Sequence, residues 1–201
     1  ESAAAPLTFM TAWRMLMSKA RVKPGDDVLI IGIGGGVAIA ALQIAKLAGA
    51  QVIVTSSSDE KLEKAAELGA SIGINHRNTP DFHKEVFAIT NKRGVDIVVD
   101  SVGEATWEKS LRSLTKGGKL VTCGATTGPN VSTNANLVFW KQLEILGSTM
   151  GSRAELRDVL KLVWRGKLKP VVDRILPLSK AKEAHEILEK GEQFGKLVLN
   201  P

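Results

Sequence analysis

Short apolar runs alternate along the chain with longer stretches whose apolar positions recur at helical spacing. Asp27-Val28-Leu29-Ile30-Ile31 is apolar at successive positions, which predicts a strand buried on both faces. Val37 to Leu47 follows with a helical pattern closed by Gly49. Gln51 to Thr55 repeats the strand signal. Ser57-Ser58-Asp59-Glu60 then has the spacing of a capping box, opening a helix that ends near Leu68-Gly69. Ser71 to Asn75 predicts a short strand, and Thr79 caps a helix with Pro80 at its first position and the apolar stripe Phe82, Val86, Ile89. Val95 to Asp100 is a fourth strand. A helix over Ala105 to Leu114 and a strand over Lys119 to Cys123 follow, with Gly117-Gly118 as the turn. The remainder reads as strand (Leu143 to Thr149), helix (Ala154 to Trp164), strand (Val171 to Leu176), helix (Lys180 to Glu189) and strand (Lys196 to Asn200). A lead-in helix through Thr11 to Leu16 precedes the first strand.

Strands apolar on both faces that alternate with helices need a parallel sheet covered on both sides. The predicted fold is therefore α/β, a doubly wound parallel sheet of the Rossmann dinucleotide-binding type with helices on both faces. With no internal repeat or linker, residues 1–201 read as one domain. Its core spans about residues 25–150, and 151–201 supply closing helices and strands.

Composition removes several alternatives. Cys123 is the only cysteine, so there is no internal disulfide or Cys-rich zinc site, and a reducing, cytoplasmic setting is expected. Tyrosine is absent, which excludes any mechanism needing a Tyr general acid. The net charge of +6 is spread among interleaved Lys, Arg, Asp and Glu, without a basic stripe, so no nucleic-acid partner is expected. The longest apolar stretch, Val28 to Ala45, is punctuated by glycines, and the amino terminus lacks a basic region before an apolar core. Neither a membrane span nor a signal peptide is predicted.

Gly32-Ile33-Gly34-Gly35-Gly36-Val37-Ala38 lies where the first strand hands over to a helix. Glycines there let the backbone approach a pyrophosphate, while free N–H groups and the helix dipole attract its charge. Counted from Gly32, the G-x-G-x-x-G spacing puts Val37 in the last slot, with Ala38 next to it. No Lys-Ser/Thr follows, so a nucleoside-triphosphatase loop is excluded. The second strand ends in Val54-Thr55-Ser56-Ser57-Ser58, with Lys61 a turn on and no carboxylate at its tip. Small hydroxyls plus Lys61 suit a 2′-phosphate and favour NADP(H), with NAD(H) the alternative; Ser57 as a plain helix cap and Lys61 as a solvated cation is the competing reading.

Several stretches together resemble the medium-chain dehydrogenase/reductase superfamily, in its quinone oxidoreductase and zinc-type alcohol dehydrogenase branches. They are Ala3 to Trp13, Val22 to Ile30, Gln43 to Lys46, Leu68 to Ala70, Val98 to Gly103, Gly117 to Val121, Ile145 to Ser148 and Gly195 to Leu199, in the family's order. The resemblance implies a cofactor site. Thr11 would touch the nicotinamide side, and Gly34, Gly35, Gly36 and Val37 would line the pyrophosphate. Ser56, Ser57 and Lys61 would face the adenosine ribose, with His76 where relatives often carry Tyr. Ser101, Gly124, Ala125 and Thr126 would lie at later strand tips. Ser148 and Thr149 would approach the carboxamide, and Lys196 the phosphates. His83 and His185 read as surface histidines.

In that family a catalytic domain precedes the cofactor domain, so the chain reads as the cofactor-binding part of a longer protein, inactive alone, whose substrate contacts lie upstream. Leu7 stands where the zinc branch often has a ligand, so zinc is not expected in this chain, and no catalytic residue is assigned. The implied function is hydride transfer between a nicotinamide dinucleotide and a small carbonyl, alcohol or enone. A non-catalytic NAD(P)-binding or assembly module is the alternative. The strand Leu143 to Thr149 resembles the one through which relatives form homodimers. A short-chain dehydrogenase would need the missing Tyr.

Overall fold

In a strand, successive side chains point to opposite faces, so an unbroken apolar run feeds two cores at once. The computed structural model, which describes residues 3–201, shows that division; Glu1 and Ser2, part of the single-domain reading, lie outside the described residues. The strands are β1 (Asp27–Ile30), β2 (Gln51–Ser56), β3 (Ile72–Asn75), β4 (Val95–Val99), β5 (Leu114–Thr122) and β6 (Glu144–Gly147). They form one sheet in the order β3-β2-β1-β4-β5-β6, with every neighbouring pair parallel. Val28 and Ile30, Val52 and Val54, Ile97 and Val99 join one core, whereas Leu29, Ile53 and Val98 join the other.

The first core is roofed by α1 (Pro6–Trp13), the wide-turned helix Arg14–Ala20, α2 (Gly36–Leu47), Ala65 of α3 (Asp59–Glu67) and Val159 of α7 (Arg153–Trp164). The second is roofed by α4 (Phe82–Ile89) and α5 (Trp107–Ser113), with Leu137 and Val138 of α6 (Ala135–Lys141) packed against it. Full burial of a Leu, Ile or Val side chain contributes roughly 1.5–3 kcal/mol, which is why both faces stay covered. The doubly wound parallel sheet expected from the sequence is present.

The last elements take a different place. β7 (Val172–Pro177) and β8 (Lys196–Asn200), joined through α8 (Ala181–Lys190), pair in parallel as a separate two-stranded sheet. One attachment to the main body is at Gly195, whose N–H donates to the Gly34 carbonyl at 2.8 Å, beside Phe194 buried in the first core. Gly195 has φ +114°, and a Cβ there would lie 2.4 Å from the Val171 carbonyl oxygen.

Several expected boundaries shift for local reasons. The helix after β2 is capped by Ser58, which accepts from the Lys61 N–H at 3.4 Å, so the Ser57–Glu60 box does not form. Thr79 and Pro80 remain in the turn before α4, which starts at Phe82 after Asp81. Leu114 already pairs with Val95, and a register shift carries β5 past Gly117 and Gly118 to Lys119. His83 is half-buried rather than on the surface; burial lowers its pKa, and Nδ1 has no hydrogen-bond partner among the described residues. His185 is exposed as expected. Among the described residues no helix is long and apolar enough to cross a membrane.

A capping box opens α7, where Ser152 and Glu155 exchange hydrogen bonds. Glu155 also ties α7 to the amino-terminal helices, accepting from Arg14 at 3.0 Å and from the Ser18 hydroxyl. Burial opposes ionisation of Glu155, but hydrogen bonds from Ser18 and Ser152 and the Arg14 charge outweigh it and hold the pKa at about 2. A carboxyl with a depressed native pKa stabilises the fold above its unfolded value, and that stability is lost as pH falls through the native one. Thermal unfolding of Glu155→Gln should therefore show a lower Tm at neutral pH, with the gap to the parent narrowing between about pH 4.5 and pH 2. A gap independent of pH over that window would contradict this role.

Candidate functional site

Every strand of a parallel sheet ends at the same edge, and the crevice lies where the chain's order of winding reverses. Here that point is between β1 and β4. The segment leaving β1 is held to both neighbours. Ile31 N–H donates to the Val99 carbonyl at 3.0 Å, Ile33 N–H to the Thr55 carbonyl at 2.7 Å, and Gly32 N–H to Thr55 Oγ1 at 3.1 Å. Gly32 and Gly34 have φ +71° and +132°, where a side chain would be strained.

Gly36 answers a different demand. A Cβ there would lie 2.7 Å from Lys196 Cδ and 2.9 Å from Thr8 Cγ2, so glycine lets these two side chains pack directly over the start of α2. Gly35 is exposed, a Cβ on it would meet nothing, and it caps α2 without a side-chain hydrogen bond. The first N–H groups of this twelve-residue helix thus face the crevice with the positive end of its dipole.

On the β2–β3 side a cavity of about 280 Å³ is lined by Gly32, Thr55, His76, Val102, Thr106 and Lys109, among others. His76 is held by its N–H on the Ser56 carbonyl at 2.9 Å. Burial, aided by Arg77 and Lys109, lowers its pKa, so the ring is neutral at pH 7. Ser56 is buried and its hydroxyl accepts from Ser58 N–H at 3.2 Å; Ser57 is half-buried. Lys61 lies across Gly34, and its half-exposed amine donates to the Gly191 carbonyl rather than standing free at the strand tip.

On the β4–β6 side the loops are zipped together. Thr126 N–H donates to the Ser101 carbonyl at 3.2 Å, and Thr127 N–H to that of Val102 at 2.8 Å. A Cβ at Gly124 would lie 3.6 Å from the Ser101 carbonyl oxygen, and Ala125 and Thr126 are exposed. Ser148 donates its N–H to Thr122, while its buried hydroxyl oxygen has no partner among the described residues. Thr149 is exposed. Thr11 is buried in α1, its hydroxyl on the Leu7 carbonyl at 2.8 Å. Burial raises the pKa of the free thiol Cys123.

Sequence reasoning gave no role to Asp100, which organises this side. Its buried carboxylate accepts from Val102 N–H (2.8 Å), Gly103 N–H (3.2 Å), Thr106 Oγ1 (2.8 Å) and Ser110 Oγ (2.6 Å). It fixes the loop leaving β4. The available signal was a carboxylate closing an apolar strand, followed by hydroxyls six and ten residues on.

Larger hollows of about 430 and 490 Å³ lie at the opposite, amino edge, around Arg21, Lys23 and Lys119 and around Gln51, Thr90 and Arg93. Arg93 pairs there with Asp27 and Asp96 at 2.8 and 2.6 Å. That is the wrong end of a parallel sheet for the glycine loop and the α2 terminus. Leu7 is exposed, and among the described residues no group of three or more His, Cys, Asp or Glu is placed to hold a metal. The donors present do not fit a zinc ion.

Residues 36–165 match the family model described as zinc-binding dehydrogenase. A zinc-type alcohol dehydrogenase-like protein of Schizosaccharomyces pombe is 38% identical over 205 residues, covering 99% of this chain and 59% of its own length. A crystal structure of an NAD-dependent alcohol dehydrogenase superposes with a TM-score of 0.95 at 47% identity, over 100% of this chain and 58% of that one. A 2-octenoyl-CoA carboxylase reductase solved with NADP and 2-octenoyl-CoA gives 0.92 at 29% identity, over 99% and 49%. The chain thus spans between about half and three fifths of the length of these proteins.

Proposed function

The chain belongs to the zinc-binding dehydrogenase family, and from that premise we propose that its carboxyl edge binds a nicotinamide dinucleotide within an NAD(P)-dependent oxidoreductase. The observation that carries the proposal is Gly36 beneath Lys196 and Thr8, which brings a lysine over the open N–H groups of α2. That is the chemistry a pyrophosphate needs. Gly34, Gly35, Gly36, Val37 and Lys196 would hold the phosphates. Ser56, Ser57, Lys61 and His76 would hold the adenosine, with His76 offering a neutral flat ring beside Val102 in the 280 Å³ cavity.

Ser101, Gly124, Ala125, Thr126 and Thr149 would border the nicotinamide half, with Thr11 beneath it. The unpartnered Ser148 hydroxyl suits a carboxamide, which both donates and accepts. When bound, the cofactor supplies hydride exchange with a small carbonyl, alcohol or enone. The chain's own residues would orient it, with the Ser101–Thr126 and Val102–Thr127 ties fixing the loops beside it. Ser56 and Ser57 at the β2 tip, in place of a carboxylate, favour NADP(H), with NAD(H) as the alternative. One relative is named for each.

Substrate contacts and the acid–base step are proposed to lie in the additional length of the relatives, so that the chain alone turns over little. A cytoplasmic setting fits a lone free thiol. Titration with NADPH and NADH, followed by fluorescence, tests the binding reading. The parent chain should bind. Gly36→Val should weaken both cofactors by at least about tenfold, and Lys196→Ala, which adds no bulk, by several-fold. Absence of binding, or unchanged affinity in both variants, would contradict the site.

We further propose a homodimer through β6, an edge strand whose surroundings support it. Phe139 and Trp140 are 59% and 73% exposed with rings 5.6 Å apart, and Ile145 is 40% exposed. Unpaired strand edges beside exposed aromatics invite pairing. In sedimentation the chain should run as a dimer and Ile145→Lys as a monomer; a monomeric parent at high concentration rules the dimer out.

A further inference from the structure

Lys61 occupies the first turn of α3, yet its amine reaches across to the carbonyl of Gly191, a residue 130 positions away. Gly191 ends α8 in the left-handed conformation, φ +64°. Between them lies Gly34, where a Cβ would come 3.2 Å from Lys61 Cδ and 3.3 Å from Nζ. The lysine is thus packed onto the glycine loop and tethered to the turn that leads into β8.

That turn is held at its two ends by different means. At its far end, Phe194 N–H donates to Asp173 at 3.0 Å and Gly195 N–H to the Gly34 carbonyl at 2.8 Å. At its near end, beyond the local bonds that finish α8, the hold from outside is the Lys61 amine. Between the ends, Gln193 Oε1 is buried without a hydrogen-bond partner among the described residues. A neutral carbonyl satisfies only one of the three donors of an ammonium group. Burial, the largest influence on Lys61, lowers its pKa against the pull of Asp173 and Glu60. The near end is therefore held by a cation that gains by finding a better acceptor.

We propose that the Gly191 carbonyl and the 2′-phosphate of a dinucleotide compete for the Lys61 amine, making Lys61 a specificity residue coupled to the turn between α8 and β8. The inference rests on reading the carboxyl edge as a dinucleotide site. The Gly191 carbonyl is a neutral acceptor, whereas a phosphate adds an opposite charge and further acceptor oxygens for the ammonium, so a phosphate draws the amine from Gly191. A dinucleotide without that phosphate leaves the amine in place. Withdrawal loosens residues 191–193, while the bonds at Phe194 and Gly195 keep β8 docked.

Amide hydrogen exchange of the 201-residue chain, with cofactor titrations alongside, tests this. NADPH should speed exchange at Gly191 and Glu192, whose N–H groups donate to Leu188 and Ile187, and NADH should not. Lys61→Ala should exchange quickly at these amides without any cofactor and bind NADPH about tenfold more weakly, with a several-fold smaller loss for NADH. Parent-like exchange in Lys61→Ala, equal losses for both cofactors, or equal responses of the turn to both overturn the competition while leaving the site intact. Failure of both dinucleotides to bind the parent chain overturns the site reading and the competition with it.

Discussion

The chain must leave β1 between two paired neighbours and begin a helix within six residues, and that passage constrains the rest of the structure. Gly32 and Gly34 turn through positive φ, and Gly36 leaves room for Lys196 and Thr8. A side chain at Gly32 or Gly34 would strain the backbone, and one at Gly36 would force Lys196 and Thr8 to move. Glycines leave this backbone without side chains of its own, with Gly35 exposed at the start of α2. The packing constraint and the proposed binding surface thus share one cause.

The two edges of the sheet divide their electrostatics accordingly. At the amino edge Arg93 is shared between Asp27 and Asp96, a closed arrangement of ion pairs. At the carboxyl edge the buried carboxylate, Asp100, is saturated by two N–H and two hydroxyl donors. The lysines there lie over glycines: Lys61 on Gly34 and Lys196 on Gly36. Helix dipole and side chains thus favour an anion at this edge. The amino-edge hollows are larger, but size without convergent donors does not make a site.

The main sheet was legible because Leu29, Ile53 and Val98 interrupt no apolar run, and only a sheet covered on both faces accepts such runs. The glycine loop was legible from its setting between a buried strand and a long helix. Periodicity names a strand but not its partner, so the separate pairing of β7 with β8 was not foreseen. Ser58 rather than Ser57 is the cap because the helix starts at Asp59, one residue later than the box spacing implied. Asp100 escaped because its partners Thr106 and Ser110 converge only once the following loop and α5 are folded. The tether of Lys61 to Gly191 depends on tertiary placement alone, and no local pattern signals it.

The most direct measurement is the map of backbone amide chemical-shift changes when NADPH is added to the isotope-labelled chain. Changes concentrated at Gly34 to Val37, Ser56, His76 and Ser148 are the expected result, because these amides lie at the carboxyl edge around the switch point. Changes centred on the amino edge near Arg21 and Arg93, or none at saturating cofactor, would contradict the assignment of the site.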